Sequence, residues 1–96
     1  MIAKAHRSQH HIVLAVCDSD LLGKKFEENN IQLDLTADFY KGKEETDEKI
    51  IVLMKAASIM NFVGKKSVGL AVKEGVINKD TVRKIKGIPH AQCVRV

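Results

Sequence analysis

Tryptophan is absent, proline occurs once, and the aromatic side chains are three phenylalanines and one tyrosine. A core without large rings must be built from aliphatic side chains. A surface without them has little on which to stack an exposed base. Cysteine occurs only at Cys17 and Cys93, each inside an apolar run. Such thiols read as small buried hydrophobes of a reducing compartment, not as a disulfide scaffold. His6, His10, His11 and His90 match no zinc spacing, because there is neither a Cys-x-x-Cys pair nor a helical His-x-x-x-His. No metal and no cofactor is expected. No apolar run nears the roughly 20 residues that cross a bilayer, and Met1 to Arg7 has no signal-peptide core. A cytoplasmic location without a membrane partner is therefore expected. Gly64-Lys65-Lys66-Ser67 has the flavour of a nucleotide-binding loop, but Ile59 stands where the upstream glycine is required. Dinucleotide fingerprints and nucleophile elbows are also missing, and no catalytic residue is assigned.

What is present suits one domain spanning residues 1–96, with 45% apolar residues, a formal charge of +4 and a pI near 9.2. A short chain has a thin core, for which partners often compensate. The basic excess is compatible with a polyanion and equally with a plain solvated surface.

Ile2 to Ser8 alternates loosely and predicts a partly exposed strand. Ile12 to Cys17 is an unbroken, β-branched run and predicts a strand buried on both faces at the centre of a sheet. The two make a hairpin across Gln9-His10. Asp18 and Ser19 are candidate caps for a helical turn over Asp20 to Phe26. Glu28-Asn29-Asn30 is a loop, and Ile31 to Thr36 alternates as a strand with one wet face. Gly42 to Glu45 is charged and exposed. Thr46 is the N-cap candidate of a helix whose stripe is Ile50, Leu53, Met54, Ala57 and Met60, ended by Asn61. A second helix covers Lys65 to Glu74, with Gly75 at its left-handed end. Gly69 inside it weakens the helix or permits a close helix contact. Asn78 caps a turn from Lys79 to Lys84. A Gly87-Ile88-Pro89-His90 corner then leads into a final strand that runs to Val96. The order predicts an α+β fold: a small, mostly antiparallel sheet from the N-terminal hairpin, the middle strand and the C-terminal strand, packed against two main helices.

Several stretches, Lys4-Ala5-His6-Arg7-Ser8, Ala15 to Lys24, Asn61-Phe62-Val63-Gly64, Ala71 to Ile77 and Gly87 to Gln92, occur together in family order. The chain resembles a small archaeal family, domain-of-unknown-function family 424, over nearly its whole length. The resemblance implies an archaeal cytosolic protein linked to RNA binding and translation, with no established activity. Relatives often carry glycine where this chain has Gln9-His10-His11, so a metal role for those histidines would be particular to it.

The candidate nucleic-acid-binding set is Lys24, Lys25, Lys65, Lys66, Arg83, Lys84 and Lys86, with Arg7, His90, Gln92 and Arg95 as a positioning set. Lysine and arginine bind phosphates by charge and counterion release. Lys65 and Lys66 also sit at a helix start, where free N–H groups attract anions. Each pair has a plain alternative, a wet surface balanced by Glu27-Glu28, Glu44-Glu45 and Asp47-Glu48. His90 and Gln92 have one too, as parts of a structural corner. With aromatics so scarce, shape and backbone contacts are expected to dominate over base reading. The expected function is a non-enzymatic RNA- or ribonucleoprotein-binding module of translation. The alternative is a protein–protein adaptor or homodimer joined through an open strand edge. A small enzyme pairing His90 with Cys17 or Cys93 is a third option and needs a thiol beside the imidazole.

Overall fold

The computed structural model describes residues 1–95. Val96, the last position of the expected C-terminal strand, lies outside the described residues. Strands β1 (Ile2–Arg7) and β2 (Ile12–Cys17) form the expected antiparallel hairpin, with Arg7 opposite Ile12 and Ile2 opposite Cys17. Its loop has no glycine. It closes with the Ser8 N–H donating to the His11 carbonyl at 2.9 Å. Leu14, Ala15, Val16 and Cys17 are all buried, as their unbroken apolar run requires.

The expected helical turn at Asp20 to Phe26 is not formed. A single 3-10 turn, Ser19–Leu21, is followed by extended Leu22 and by Gly23 at φ +85°. The chain then enters β3 (Lys25–Glu28), which pairs with β4 (Ile31–Asp34). Asn29 and Asn30 both take positive φ, the geometry that a two-residue hairpin turn demands. The middle strand therefore lies in a separate two-stranded ribbon and not in the main sheet.

β5 (Lys43–Glu44) pairs with the edge of β1. Helix α1 (Asp47–Ala56) is capped by Thr46, whose hydroxyl accepts the Lys49 N–H. It stops short of the expected end. Met60 belongs to β6 (Ile59–Val63), which runs parallel to β2 and antiparallel to β8 (Ile88–Val94). The residues from Ile50 to Met60 satisfy a helical period by coincidence. Ala57 is extended, and the Ser58 N–H is taken by the Ile12 carbonyl at 2.8 Å, so the chain leaves the helix for the sheet.

Helix α2 (Lys65–Lys73) follows, with Gly75 at φ +74° just beyond its end. A Cβ on exposed Gly69 would meet nothing within 4 Å, so this glycine serves no close helix contact. Asn78 does cap a turn, accepting the Asp80 N–H at 2.9 Å, but that turn ends at Thr81. Arg83–Ile85 is β7, hairpinned to β8 through Lys86 and Gly87, both at positive φ. The rigid corner is thus one step earlier than Gly-Ile-Pro-His, and Pro89 and His90 already lie in β8. Pro89 is tolerated there because β6 has ended and no ladder donor is required. Its carbonyl instead accepts the Gly64 N–H at 2.8 Å.

The main sheet has the order β5-β1-β2-β6-β8-β7. On one face Leu14, Val16, Met60, Phe62 and Ala91 meet Ile50 and Met54 of α1 and Val68 and Ala71 of α2. On the other, Cys17, Val63 and Ile85 lie under Leu33 of the ribbon and the flanking Leu21 and Leu35. The fold is α+β, with helices on one side and a short ribbon on the other.

Candidate functional site

The ribbon covers only part of its face of the sheet. Strand alternation places His90, Gln92 and Val94 of β8 on that face, opposite Val63, Asn61 and Ile59 of β6. Arg83 of β7 is directly opposite His90 and points the same way. The uncovered part is a cleft of about 580 Å³ between the sheet and β4. Asn61, Arg83, His90 and Gln92 line it together with Gln32 and Thr81, and Ile31, Leu33, Tyr40, Val63 and Ile85 supply its apolar part. Its size is typical of a ligand site.

None of the side chains of Asn61, Arg83, His90 and Gln92 has a hydrogen-bond or ion-pair partner among the described residues. Asn61 and Gln92 are cross-strand neighbours, so two carboxamides stand side by side with their donors and acceptors free. Burial, and then the Arg83 guanidinium beside it, push the His90 pKa below the ordinary 6.5. Among the described residues, Arg83 is the one permanently charged side chain lining the cleft.

The rings of Phe62 and Phe39 are committed elsewhere, while Tyr40 borders the cleft. Phe62 is fully buried. Phe39 stacks on His6 with ring centroids 4.8 Å apart, while the His6 Nε2 lies 2.9 Å from the Phe39 carbonyl oxygen. Tyr40 meets Phe39 edge-on and closes one side of the cleft, its hydroxyl pushed up to about 12 by burial and by nearby Cys17.

The remaining candidates fall in several places. Lys65 and Lys66 open α2 at the end of the sheet where β6 stops and β8 begins, and Lys86 is in the β7–β8 turn at that same end. The helix start there is not a vacant anion site. The buried Asp18 carboxylate accepts the Ser67 N–H at 2.8 Å, the Ser67 hydroxyl at 2.8 Å and the Lys66 N–H at 3.1 Å. Asp18 thus caps α2 across the sheet and not the turn that follows it in sequence. Lys84 is on the opposite side of β7 from Arg83. Lys24 and Lys25 are exposed at the start of the ribbon, where Lys25 lies opposite Asp34. Arg7 is at the far, hairpin end of the sheet. Arg95 donates from Nη1 to the Met54 carbonyl at 2.9 Å and so satisfies the end of α1. Among the described residues, none of these cations is in an ion pair.

The sequence pattern grouped Arg83 with Lys84 and Lys86 and put His90 and Gln92 in a separate positioning set, whereas the fold sets Arg83, His90 and Gln92 on one face of β7 and β8. The sequence reading missed Asn61, assigned to a helix end, and Gln32, assigned only to a wet strand face. The alternation of Ile59-Met60-Asn61-Phe62-Val63 was the available signal. A thiol–imidazole pair is not formed: Val63 separates Cys17 from His90 in register, and Cys93 faces the helices. Burial pushes the Cys17 thiol up to about 11.

Residues 6–96 match the family described as a protein of unknown function, DUF424. The chain belongs to this family. A similar fold is seen in the crystal structure of an uncharacterized conserved protein from Methanopyrus kandleri, with a TM-score of 0.80 and 24% sequence identity. The match covers 99% of this chain and 92% of that one. No curated protein is significantly similar. In this DUF424 chain, no helix among the described residues is long and apolar enough to cross a membrane.

Proposed function

We propose that this chain is a non-enzymatic RNA- or ribonucleoprotein-binding module, and that single-stranded RNA lies across the open part of the sheet. The observation that carries the reading is the cleft of Asn61, Arg83, His90 and Gln92, whose polar groups converge without internal partners. Unpaired donors and acceptors over an apolar wall are what a base edge needs. Arg83 supplies a phosphate contact inside the cleft. Lys86 and the Lys65-Lys66 pair extend positive charge along the adjacent end of the sheet. Lys24, Lys25 and Lys84 add to the net charge from other faces, and Arg7 lies too far along the strands to join the same contact. A link to translation and a cytoplasmic site follow the family resemblance.

Filter binding against short single-stranded RNA at rising salt tests the reading. Binding should weaken from about 50 to 200 mM salt, with a slope of roughly 0.7 per phosphate contacted. Arg83→Ala should reduce affinity by about tenfold. Absence of binding at low salt, or affinity indifferent to salt, overturns it.

One observation favours a second reading, a protein adaptor or homodimer. β7 pairs with β8 only as far as His90, so among the described residues no strand covers the outer edge of β8 near Gln92 and Val94, and Val94 is 61% exposed. Light scattering on the Lys65→Glu, Lys66→Glu double variant separates the two. An adaptor joined through the strand edge keeps its oligomeric state or partner, whereas an RNA binder loses affinity.

A further inference from the structure

The paired carboxamides say which base the cleft would take. Asn61 and Gln92 stand opposite one another on β6 and β8. The pair is of the non-hydrogen-bonded kind, since the flanking β8 residues Ala91 and Cys93 are those whose backbone faces β6. Side chains approach most closely at such pairs. Each carboxamide offers one acceptor oxygen and a donor –NH₂. For both to grip one amino group from its two sides, the base must present an acceptor on each side of an amino group that donates twice; guanine can meet two carboxamides only through separate contacts, at O6 with N1–H and at N2–H with N3. Adenine has this pattern where its Watson–Crick and Hoogsteen edges meet: N1, the two hydrogens of N6, and N7. Cytosine has an acceptor on one side of its amino group only, uracil has no amino group, and guanine shows two adjacent acceptors followed by two donors.

We infer that the cleft binds an unstacked adenine, with one carboxamide bidentate to N1 and N6 and the other bidentate to N6 and N7. The inference rests on the RNA-binding reading of this face. The electrostatics agree with it. Arg83 is free for the adjoining phosphate. Ile31, Leu33 and Tyr40, which line the cleft, offer apolar contact to the ring.

The test is fluorescence anisotropy of the full chain with labelled single-stranded oligoadenylate, oligocytidylate, oligouridylate and a guanosine-containing oligomer. Each bidentate contact is expected to give roughly five- to hundredfold discrimination, so oligoadenylate should bind at least about tenfold more tightly than the pyrimidine oligomers. Asn61→Ala and Gln92→Ala should each bring oligoadenylate down toward the pyrimidine level, with the oligouridylate affinity little changed. Gln92→Met, which keeps size and charge but removes donor and acceptor, should do the same and guards against an alanine variant that fails to fold. In parallel, adenosine monophosphate should shift the side-chain amide signals of Asn61 and Gln92 in a nitrogen–proton correlation spectrum. Equal binding to all oligomers overturns the adenine assignment while the RNA reading stands. So does a preference for the guanosine oligomer that Arg83→Ala abolishes, because the guanidinium is then the base reader. No binding to any oligomer overturns both.

Discussion

At the residue scale, Gly64 and Asp18 decide how the two halves of the molecule meet. Gly64 sits at φ +110° and ψ 160°, a region open in practice to glycine alone. A Cβ there would also collide with the Asp18 carboxyl group that caps α2. Gly64→Ala should therefore destabilise the fold by about 1–3 kcal/mol from the backbone alone, and by more through the displaced carboxylate. Urea unfolding measures this, and a loss below about 0.5 kcal/mol would contradict the geometry. His90 carries the second residue-scale prediction. Its folded-state pKa lies below the ordinary 6.5, so the unfolded chain binds the proton more readily. Stability is present above pH 6.5 and is lost as pH falls through the lower folded value. His90→Gln should flatten this part of the stability–pH curve, measured by urea midpoints between pH 7.5 and 5. An unchanged slope would show that the imidazole is not desolvated in the cleft.

At the element scale, the two helices differ in how well their sequences suit them. Thr46 is a working N-cap, and Thr46→Ala should cost about 1 kcal/mol. Gly69 has open space at its Cβ position and an ordinary helical place in α2. Gly69→Ala should stabilise by about 0.4–1 kcal/mol, read as a rise in melting temperature. A fall would mean that the glycine has a contact which the fold does not display. The boundary between α1 and β6 is the other lesson at this scale. The residues from Ile50 to Met60 fit a helical stripe, while Ile59 to Val63 also fit a strand. Local pattern alone is evenly matched there. The parallel pairing of β6 with β2 decides, because it buries Met60 and Phe62 against the helices and puts Asn61 into the cleft.

For the whole molecule, the candidate cations are not gathered into one patch, and among the described residues none of them is in an ion pair. Arg83, Lys86, Lys65 and Lys66 occupy the cleft and the adjoining end of the sheet, while Arg7 and Arg95 are at the other end. If RNA runs along the first group, the Lys65→Glu, Lys66→Glu variant should lower the salt slope of binding by roughly 0.7 for each phosphate that it no longer neutralises. The same reversal at Lys24 and Lys25 should change it less. Equal effects from both pairs would mean that the protein attracts RNA by net charge alone and not along this face.

The amino-acid order by itself determined the α+β class, the N-terminal hairpin, the buried central strand, the caps at Thr46 and Asn78, and α2 with its glycine stop. These depend on contacts near in sequence: hydrophobic period, turn chemistry and capping. Family membership was legible for a related reason, since distinctive short stretches in fixed order need no folding to be seen. Only the tertiary structure decided that the segment after Gly23 is a ribbon, that Asp18 caps a helix far along the chain, and that Asn61 faces Gln92. Those outcomes depend on which strands become neighbours. Strand pairing across long loops leaves no local signature, because each partner satisfies its backbone hydrogen bonds equally well with any strand in register.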